Sequence, residues 1–376
     1  MPVGAPFDGR QYHDTPRNDA AGGDMKKMIA ATLIGALCAS AHAQSSVTLF
    51  GRIGGGVRWV NGLPGGSQVG FNNNIIAGNE FGIRGREDLG NGLKALFVLD
   101  GAFNSGNGAL KTSGTLFSQA AYVGLAGDFG RLTLGRQFNV AEDLGIALDP
   151  LGGRGQSLAV EPGVLFDGNF FTLDSRFNNT IKYLGQVGGL RFGANYSPGG
   201  VAGRSHAGTS YSTAAMYTYS DLMGGVSYAK TYSPDGSQSA QTIQAGGTLQ
   251  LGRARFYLSY ASLNVRANKA GAPSRRDDIP SFGVVVQPLP SVQLSAAAFY
   301  DRARNLGNVS GADGHKLTTY AIAEYFLSKR TELYVEVDRN GMTGAYMRDP
   351  ATIAALNLRR GASATTGVSI GLMTQF

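Results

Sequence analysis

Along most of the chain, apolar and polar residues alternate one by one in runs of about ten, and turn residues separate the runs. Residues 47–60 (VTLFGRIGGGVRWV) put Val47, Leu49, Ile53, Val57 and Trp59 on one face, and Thr48, Arg52 and Arg58 on the other. Successive side chains of a strand point to opposite faces, so such a run predicts a strand with a greasy side and a wet side. Residues 80–87 set Phe81 and Ile83 against Glu80, Arg84 and Arg86. A tight turn at 88–92 (DLGNG) follows. Residues 93–103 then return with Leu93, Ala95, Phe97 and Leu99 on the apolar face and Lys94 and Asp100 opposite.

The same pattern predicts strands at 116–125, 131–137, 176–184, 190–197, 213–220, 222–232, 242–251, 254–263, 281–287, 292–302, 317–326, 331–340 and 363–376. With the first three they make sixteen, an even number, as single-chain bacterial barrels have. Short links such as 126–130 and 327–330 alternate with long polar ones such as 198–211 and 264–280. That asymmetry fits short periplasmic turns and long extracellular loops. In residues 331–340, Leu333, Val335 and Val337 suit lipid, while Glu332, Glu336 and Asp338 suit water inside a closed wall. No apolar run in the body reaches the ~20 residues of a spanning helix. The expectation is an all-β fold, a 16-stranded antiparallel transmembrane β-barrel.

One stretch does not fit the alternation. Residues 139–172 carry two prolines, several glycines, the acids Glu142, Asp143, Asp149, Glu161 and Asp167, and a lone Arg154. Loops this long are uncommon in compact proteins and are functional or disordered. Between barrel strands, a third possibility is a loop folded inward to narrow the interior.

Composition changes the picture at the N-terminus. Met25-Lys26-Lys27, the apolar run 28–38 and Ala41-His42-Ala43 read as a secretory signal peptide over 25–43, cleaved after Ala43. Residues 1–24 read as an upstream extension before a second start at Met25, and the mature barrel as 44–376. Cys38, the single cysteine, falls in the signal segment, which excludes disulfides and cysteine-ligated metals from the mature chain. Formal net charge is +7, and residues 1–43 hold four basic and four acidic side chains, so removal leaves it unchanged. The basic residues are dispersed along strands rather than clustered, which points to solvated faces plus lipopolysaccharide contact rather than nucleic acid, and outer-membrane lipid is the expected surrounding.

Several runs resemble the trimeric general-diffusion porins of Gram-negative outer membranes, the β-proteobacterial type in particular. They are 46–52 (SVTLFGR), 81–95 (FGIRGREDLGNGLKA), 121–137 (AYVGLAGDFGRLTLGRQ), 178–183 (NNTIKY), 327–334 (LSKRTELY) and the final Phe376. The resemblance implies a homotrimer in the cell outer membrane, passive diffusion of small hydrophilic solutes, and recognition of Phe376 by the barrel-assembly machinery. It also implies a constriction where basic wall residues oppose an acidic inward loop at 139–172. Arg52, Arg84 and Arg176 match wall positions that are basic in relatives. Glu80 and Gln119 depart from positions where relatives often carry arginine, which argues against strong anion selectivity. Asp149 lies near the acids of the family's loop. The expected constriction set is Arg52, Arg84, Arg86, Arg176 and Lys182 as a positive wall, Glu142, Asp143, Asp149 and Glu80 as the negative side, and Gln119.

Catalysis, metal and cofactors find little footing. His206 and His315 fall in predicted outer loops without a fixed serine or acid partner. Glu87-Asp88 is ordinary turn chemistry, and one acidic pair such as Asp277-Asp278 does not define a calcium site. The triple glycine 54–56 precedes no helix, so close strand packing or a trimer contact explains it better than a phosphate cradle. Two other readings remain in view: a substrate-specific channel for an anion or sugar, and an outer-membrane adhesin or enzyme.

Overall fold

The computed structural model describes residues 45–152 and 169–376. The extension 1–24, the signal segment 25–43, and Arg154, Glu161 and Asp167 lie outside the described residues.

Strands follow one another as β1 (Ser46–Leu63), β2 (Gly66–Asn72), β3 (Glu80–Gly90), β4 (Leu93–Ala102), β5 (Ala120–Gly127) and β6 (Gly130–Gln137). A helix, α1 (Val140–Leu148), comes next. Then come β7 (Phe177–Val187), β8 (Leu190–Ser197), β9 (Ser210–Tyr219), β10 (Leu222–Tyr232), β11 (Ser239–Leu251) and β12 (Ala254–Val265). The chain ends with β13 (Arg275–Leu289), β14 (Val292–Arg304), β15 (Gly314–Phe326), β16 (Thr331–Gly344), a short α2 (Pro350–Ala355) and β17 (Ala364–Gln375). Among the described residues no helix is long and apolar enough to cross a membrane.

All pairings are antiparallel, and β17 returns to β1, from Arg52 opposite Gln375 to Val60 opposite Gly367. The ladder therefore closes. Closure is what lipid demands, because no water is present there to satisfy an open edge. Along its other edge β1 pairs first with β3 (Ser46 to Arg52 against Arg86 to Glu80), then with β2 (Gly56 to Leu63 against Asn72 to Gly66). Segments β2 and β3 are thus two halves of one wall strand, so the seventeen segments make sixteen wall strands.

The break between those halves, residues 73–79, falls between the strands expected at 47–60 and 80–87, where an outward link would be ordinary. It turns inward instead. Asn74 takes a left-handed conformation (φ 59°), which asparagine tolerates better than most side chains, and Ile76 and Ala77 end fully buried. A second difference lies at 264–280, expected as a loop. Here β12 and β13 run on, because Arg275, Asp277 and Ile279 alternate inward against Arg276, Asp278 and Pro280 outward. Pro280 lacks an N–H, and the ladder to β14 skips from Asp278 to Ser281.

The two faces have the expected chemistry. Val47, Leu49, Leu333, Val335, Val337 and Ile370 stand exposed on the outside. Inside, Glu336 and Asp338 are buried rather than bathed, because Arg58 reaches from β1 to both, at 3.1 and 2.6 Å. This bridge locks the seam where the first and last strands meet.

Candidate functional site

Helix α1 lies inside the barrel, and its start is written into the local sequence. The Asn139 side chain accepts from the Glu142 N–H at 2.7 Å, an ordinary N-cap. The next free N–H groups are satisfied by the wall: Val140 donates to Asn195 (2.8 Å) and Ser212 (3.0 Å), and Ala141 to Ser212 (3.1 Å). Val140, Leu144 and Leu148, one face of the helix, pack on Leu184, Ala214 and Met216. The wall is hollowed to receive them. A Cβ at Gly225 would lie 2.6 Å from Leu144, and one at Gly246 2.9 Å from Leu148. Ile146 and Leu151 join an apolar cluster with Ile279, Phe299, Tyr320 and the inward Ile76.

Two of the expected constriction charges fasten this loop to the wall. Lys182 Nζ lies 2.7 Å from the Asp143 carboxylate, with both side chains about as buried as the core. The same ammonium donates to the Phe138 and Asn139 carbonyls at 3.1 and 3.4 Å. Burial holds the Asp143 carboxyl above its usual range, and the adjacent Lys182 offsets only part of that rise. Asp149 caps the other end of α1. Its backbone N–H donates to the Ile146 carbonyl (3.3 Å), and its carboxylate accepts from Leu151 N–H (3.2 Å) and the Tyr320 hydroxyl (3.4 Å). Asp143, Asp149 and Lys182 are therefore spent on packing. Glu142 is also buried, with the Arg176 guanidinium as an electrostatic neighbour.

The remaining charges gather around β1, β3 and β4 and reach the start of α1 through Arg176, whose neighbours include Glu142, Glu80 and Asp100. Arg52 forms an ion pair with Glu80 at 3.1 Å and donates to the Gly78 carbonyl at 2.7 Å. Asp100 has Glu80, Arg176 and Arg52 as its charged neighbours, and Lys111 faces Arg176, Asp174, Glu80 and Arg52. The Arg176 guanidinium lies over the Phe138 ring, 4.1 Å from its centroid. Gln119 sits immediately before β5, donating its N–H to the Asp100 carbonyl at 3.0 Å. Arg84 and Arg86 stand apart. They pair with Thr48 and Ser46, ~13 and ~20 Å along β3 from Glu80, and Arg84 stacks over Phe50 near the short-turn end.

Three neighbours of these charges escaped the sequence reading. Asp100 was visible as a polar residue on an inward face, but nothing marked it for this cluster. Lys111 lies in a loop without periodicity. The third is the inward segment 73–79, tied down by Gly54 N–H to Asn79 (2.7 Å), Asn79 to Asn73 and Ser105 (both 2.9 Å), and Asn72 to the Tyr334 hydroxyl (3.0 Å). A Cβ at Gly54 would come 2.8 Å from Asn74, so the triple glycine does serve close packing.

His206 and His315 stack on Tyr232 and Tyr300, with centroids 5.1 and 5.6 Å apart. Among the described residues no group of three His, Cys, Asp or Glu could hold a metal ion.

Residues 30–344 match the family model described as Gram-negative porin. The chain belongs to that family. An outer membrane porin protein of Bordetella pertussis is 34% identical over 188 residues, 46% of this chain and 48% of that protein. Outer membrane porin protein 32 of Delftia acidovorans is 42% identical over 113 residues, 30% of this chain and 32% of that protein. The matched stretches thus span about half or less of these curated relatives. Among solved structures, an anion-selective porin from Comamonas acidovorans superimposes with a TM-score of 0.73 at 23% identity, covering 89% of this chain and 100% of that one. The likeness in that case is one of fold. This porin is a protein of the outer membrane, with an apolar band outside and a closed ladder throughout.

Proposed function

We propose that this porin forms a water-filled channel for passive diffusion of ions and small hydrophilic solutes, selected by size and by a mixed-charge constriction. The observation that carries the reading is the uneven filling of the lumen. Helix α1 covers the inner wall of β8–β12, where inward side chains such as Ala214 and Ser227 are buried. Along β4 the inward Lys94, Val98 and Asp100 stay half-exposed, which leaves the water path on that side. Arg52, Arg176 and Lys111 line it together with Glu80 and Asp100. Opposed charges across a narrow passage order water there and disfavour apolar solutes. Because acids offset bases, selectivity between anions and cations is weak. Two carboxylates among the arginines set this chain apart from a purely basic wall.

The protein acts as a channel and not as an enzyme; its two described histidines are occupied with tyrosine rings. It works as a homotrimer, in keeping with its resemblance to the trimeric porins. Phe376 closes the ladder, exchanging backbone hydrogen bonds with Gly51 at 3.0 and 3.1 Å, and its half-exposed ring faces outward, where the barrel-assembly machinery can read it. Lipopolysaccharide surrounds the outer rim.

Reversal potential across a salt gradient tests the constriction. A unit charge ~7 Å from an ion in water changes its energy by about 0.6 kcal/mol. Arg52→Gln combined with Arg176→Gln is therefore expected to move the anion-to-cation permeability ratio severalfold toward cations. Glu80→Gln combined with Asp100→Asn is expected to move it toward anions. If both double variants keep the wild-type reversal potential, these four residues do not line the path.

A further inference from the structure

Inside the barrel, several opposite charges close on each other. Arg58 reaches Glu336 and Asp338 at 3.1 and 2.6 Å, Lys182 reaches Asp143 at 2.7 Å, and Arg275 reaches Asp277 at 2.7 Å. Along the water path Arg52 is likewise taken up by Glu80 at 3.1 Å. Three charges of the path do not follow suit. Arg176 is an electrostatic neighbour of both Asp100 and Lys111, yet among the described residues none of the three forms an ion pair. Asp174, which neighbours Lys111 and Arg176, is itself taken by Arg136 at 2.6 Å.

The fold holds each of the three in place without neutralising it. Asp100 stands on the inward, half-exposed face of β4, and one of its carboxylate oxygens accepts no hydrogen bond. Lys111 donates its backbone N–H to the Ala102 carbonyl at 2.9 Å, so it leaves the wall two residues from Asp100. Arg176 is braced by the Phe138 ring, 4.1 Å from the guanidinium, and by its own N–H on the Asp174 carboxylate at 3.0 Å. Opposite charges that face water without touching keep their attraction for a third party. A lone anion meets Arg176 and Lys111 but also the Asp100 carboxylate, and a lone cation meets the reverse conflict. A solute carrying both charges a few bonds apart escapes it, with its carboxylate on the Arg176 fork and its ammonium on the Asp100 oxygens. We propose that Asp100, Lys111 and Arg176 form a transient seat for zwitterionic α-amino acids, with Arg176 and Lys111 on the carboxylate and Asp100 on the ammonium. The inference rests on the water-filled channel reading and names the solute class that this channel favours. Residence is brief, since a conducting site binds well enough to admit a solute and weakly enough to release it.

The test adds L-glutamine to the full porin in planar bilayers and reads the concentration-dependent fall in single-channel potassium chloride current. Saturation-transfer NMR of the detergent-purified porin is the second readout. Three analogues isolate the charges: N-acetyl-L-glutamine keeps only the carboxylate, L-glutamine α-amide only the ammonium, and N-acetyl-L-glutamine α-amide neither. Wild type is expected to show saturable block and saturation transfer with L-glutamine, about tenfold or more stronger than with any analogue, since each charge-assisted contact is worth roughly a factor of ten. In Asp100→Asn, L-glutamine is expected to bind no better than N-acetyl-L-glutamine. In Arg176→Gln combined with Lys111→Gln, it is expected to bind no better than L-glutamine α-amide. A disturbed barrel would treat the analogues alike, so that crossed loss belongs to the seat. Equal block by L-glutamine and the uncharged analogue, or by L-glutamine and one singly charged analogue, overturns the proposal. So does wild-type block in both variants. If ions pass and L-glutamine changes neither current nor NMR signal, the seat is absent and the channel reading stands. If no ion current is found while saturation transfer and its crossed loss persist, the channel reading is the one that fails.

Discussion

Lys182→Met is expected to leave the barrel closed while releasing the inner loop, so that open-channel current becomes larger and noisier. The barrel survives because its ladder closes through seventeen segments paired by their backbones, and none of them needs the Lys182 side chain. The loop has no such redundancy at its start. Lys182 neutralises Asp143 at 2.7 Å and holds two carbonyls of the chain entering α1. Removing one member of a buried pair leaves the other charge without compensation, at a cost of about 3–5 kcal/mol. Wall contacts at Asn195, Ser212 and Gly225 have to carry that cost, and detachment of the first turn is the cheaper outcome. The double variant Lys182→Met with Asp143→Leu restores an uncharged, packed junction, and replacing a whole buried pair is often close to neutral. It should regain quiet current near the wild-type level. Single-channel recording of the three proteins checks this. Identical traces for wild type and Lys182→Met would mean that the pair does not anchor the loop.

Ile76→Ala carries the second largest expected effect. Ile76 is the point where the inward segment 73–79 touches the residues around α1, in one cluster with Ile146, Leu151, Ile279 and Tyr320. Truncating a fully buried isoleucine to alanine costs about 2–5 kcal/mol, part of it for the cavity left behind. The polar ties of the segment, from Asn79 to Gly54, from Asn72 to Tyr334 and from the Ile75 backbone to Tyr334, hold its backbone, while the Ile76 side chain at its tip is held by packing. The tip should therefore loosen on both sides of the contact, widening the passage between segment and helix. Conductance is expected to rise, and protease is expected to reach the link between β2 and β3. Wild-type conductance together with wild-type protease resistance would show that the segment is wall and not part of the constriction.

The wall was legible because lipid and water impose opposite chemistries at a period of two. Residues 47–60 and 331–340 could hardly be read otherwise, and the structure places Val47, Leu49, Val335 and Val337 outside accordingly. The interior was harder. Asp143 and Lys182 looked like opposing sides of a passage, since charge alone does not tell whether two residues face each other through water or touch. Once they touch, they belong to the packing. The run 73–79 (NNNIIAGN with its neighbour Asn72) reads as a turn by composition, and its tuck depends on Tyr334, Ser105 and Gly54, far away along the chain. Arg84 and Arg86 share the face of Glu80, but the strand carries them ~13 to ~20 Å away, a distance that alternation cannot convey. Asp100 had the right face and no distinguishing mark.

The most direct test uses a thiol on each side of the lumen, in a background where the sole cysteine, Cys38, is serine. Val98→Cys places it on the half-exposed inner face of β4, and Ala214→Cys on β9 beneath helix α1. A small cationic methanethiosulfonate reagent is added during single-channel recording. Val98→Cys should be modified within seconds and lose conductance, while Ala214→Cys should stay silent. Modification of Ala214→Cys with Val98→Cys untouched would put the water path on the wrong side of the barrel and contradict the inward helix as its boundary.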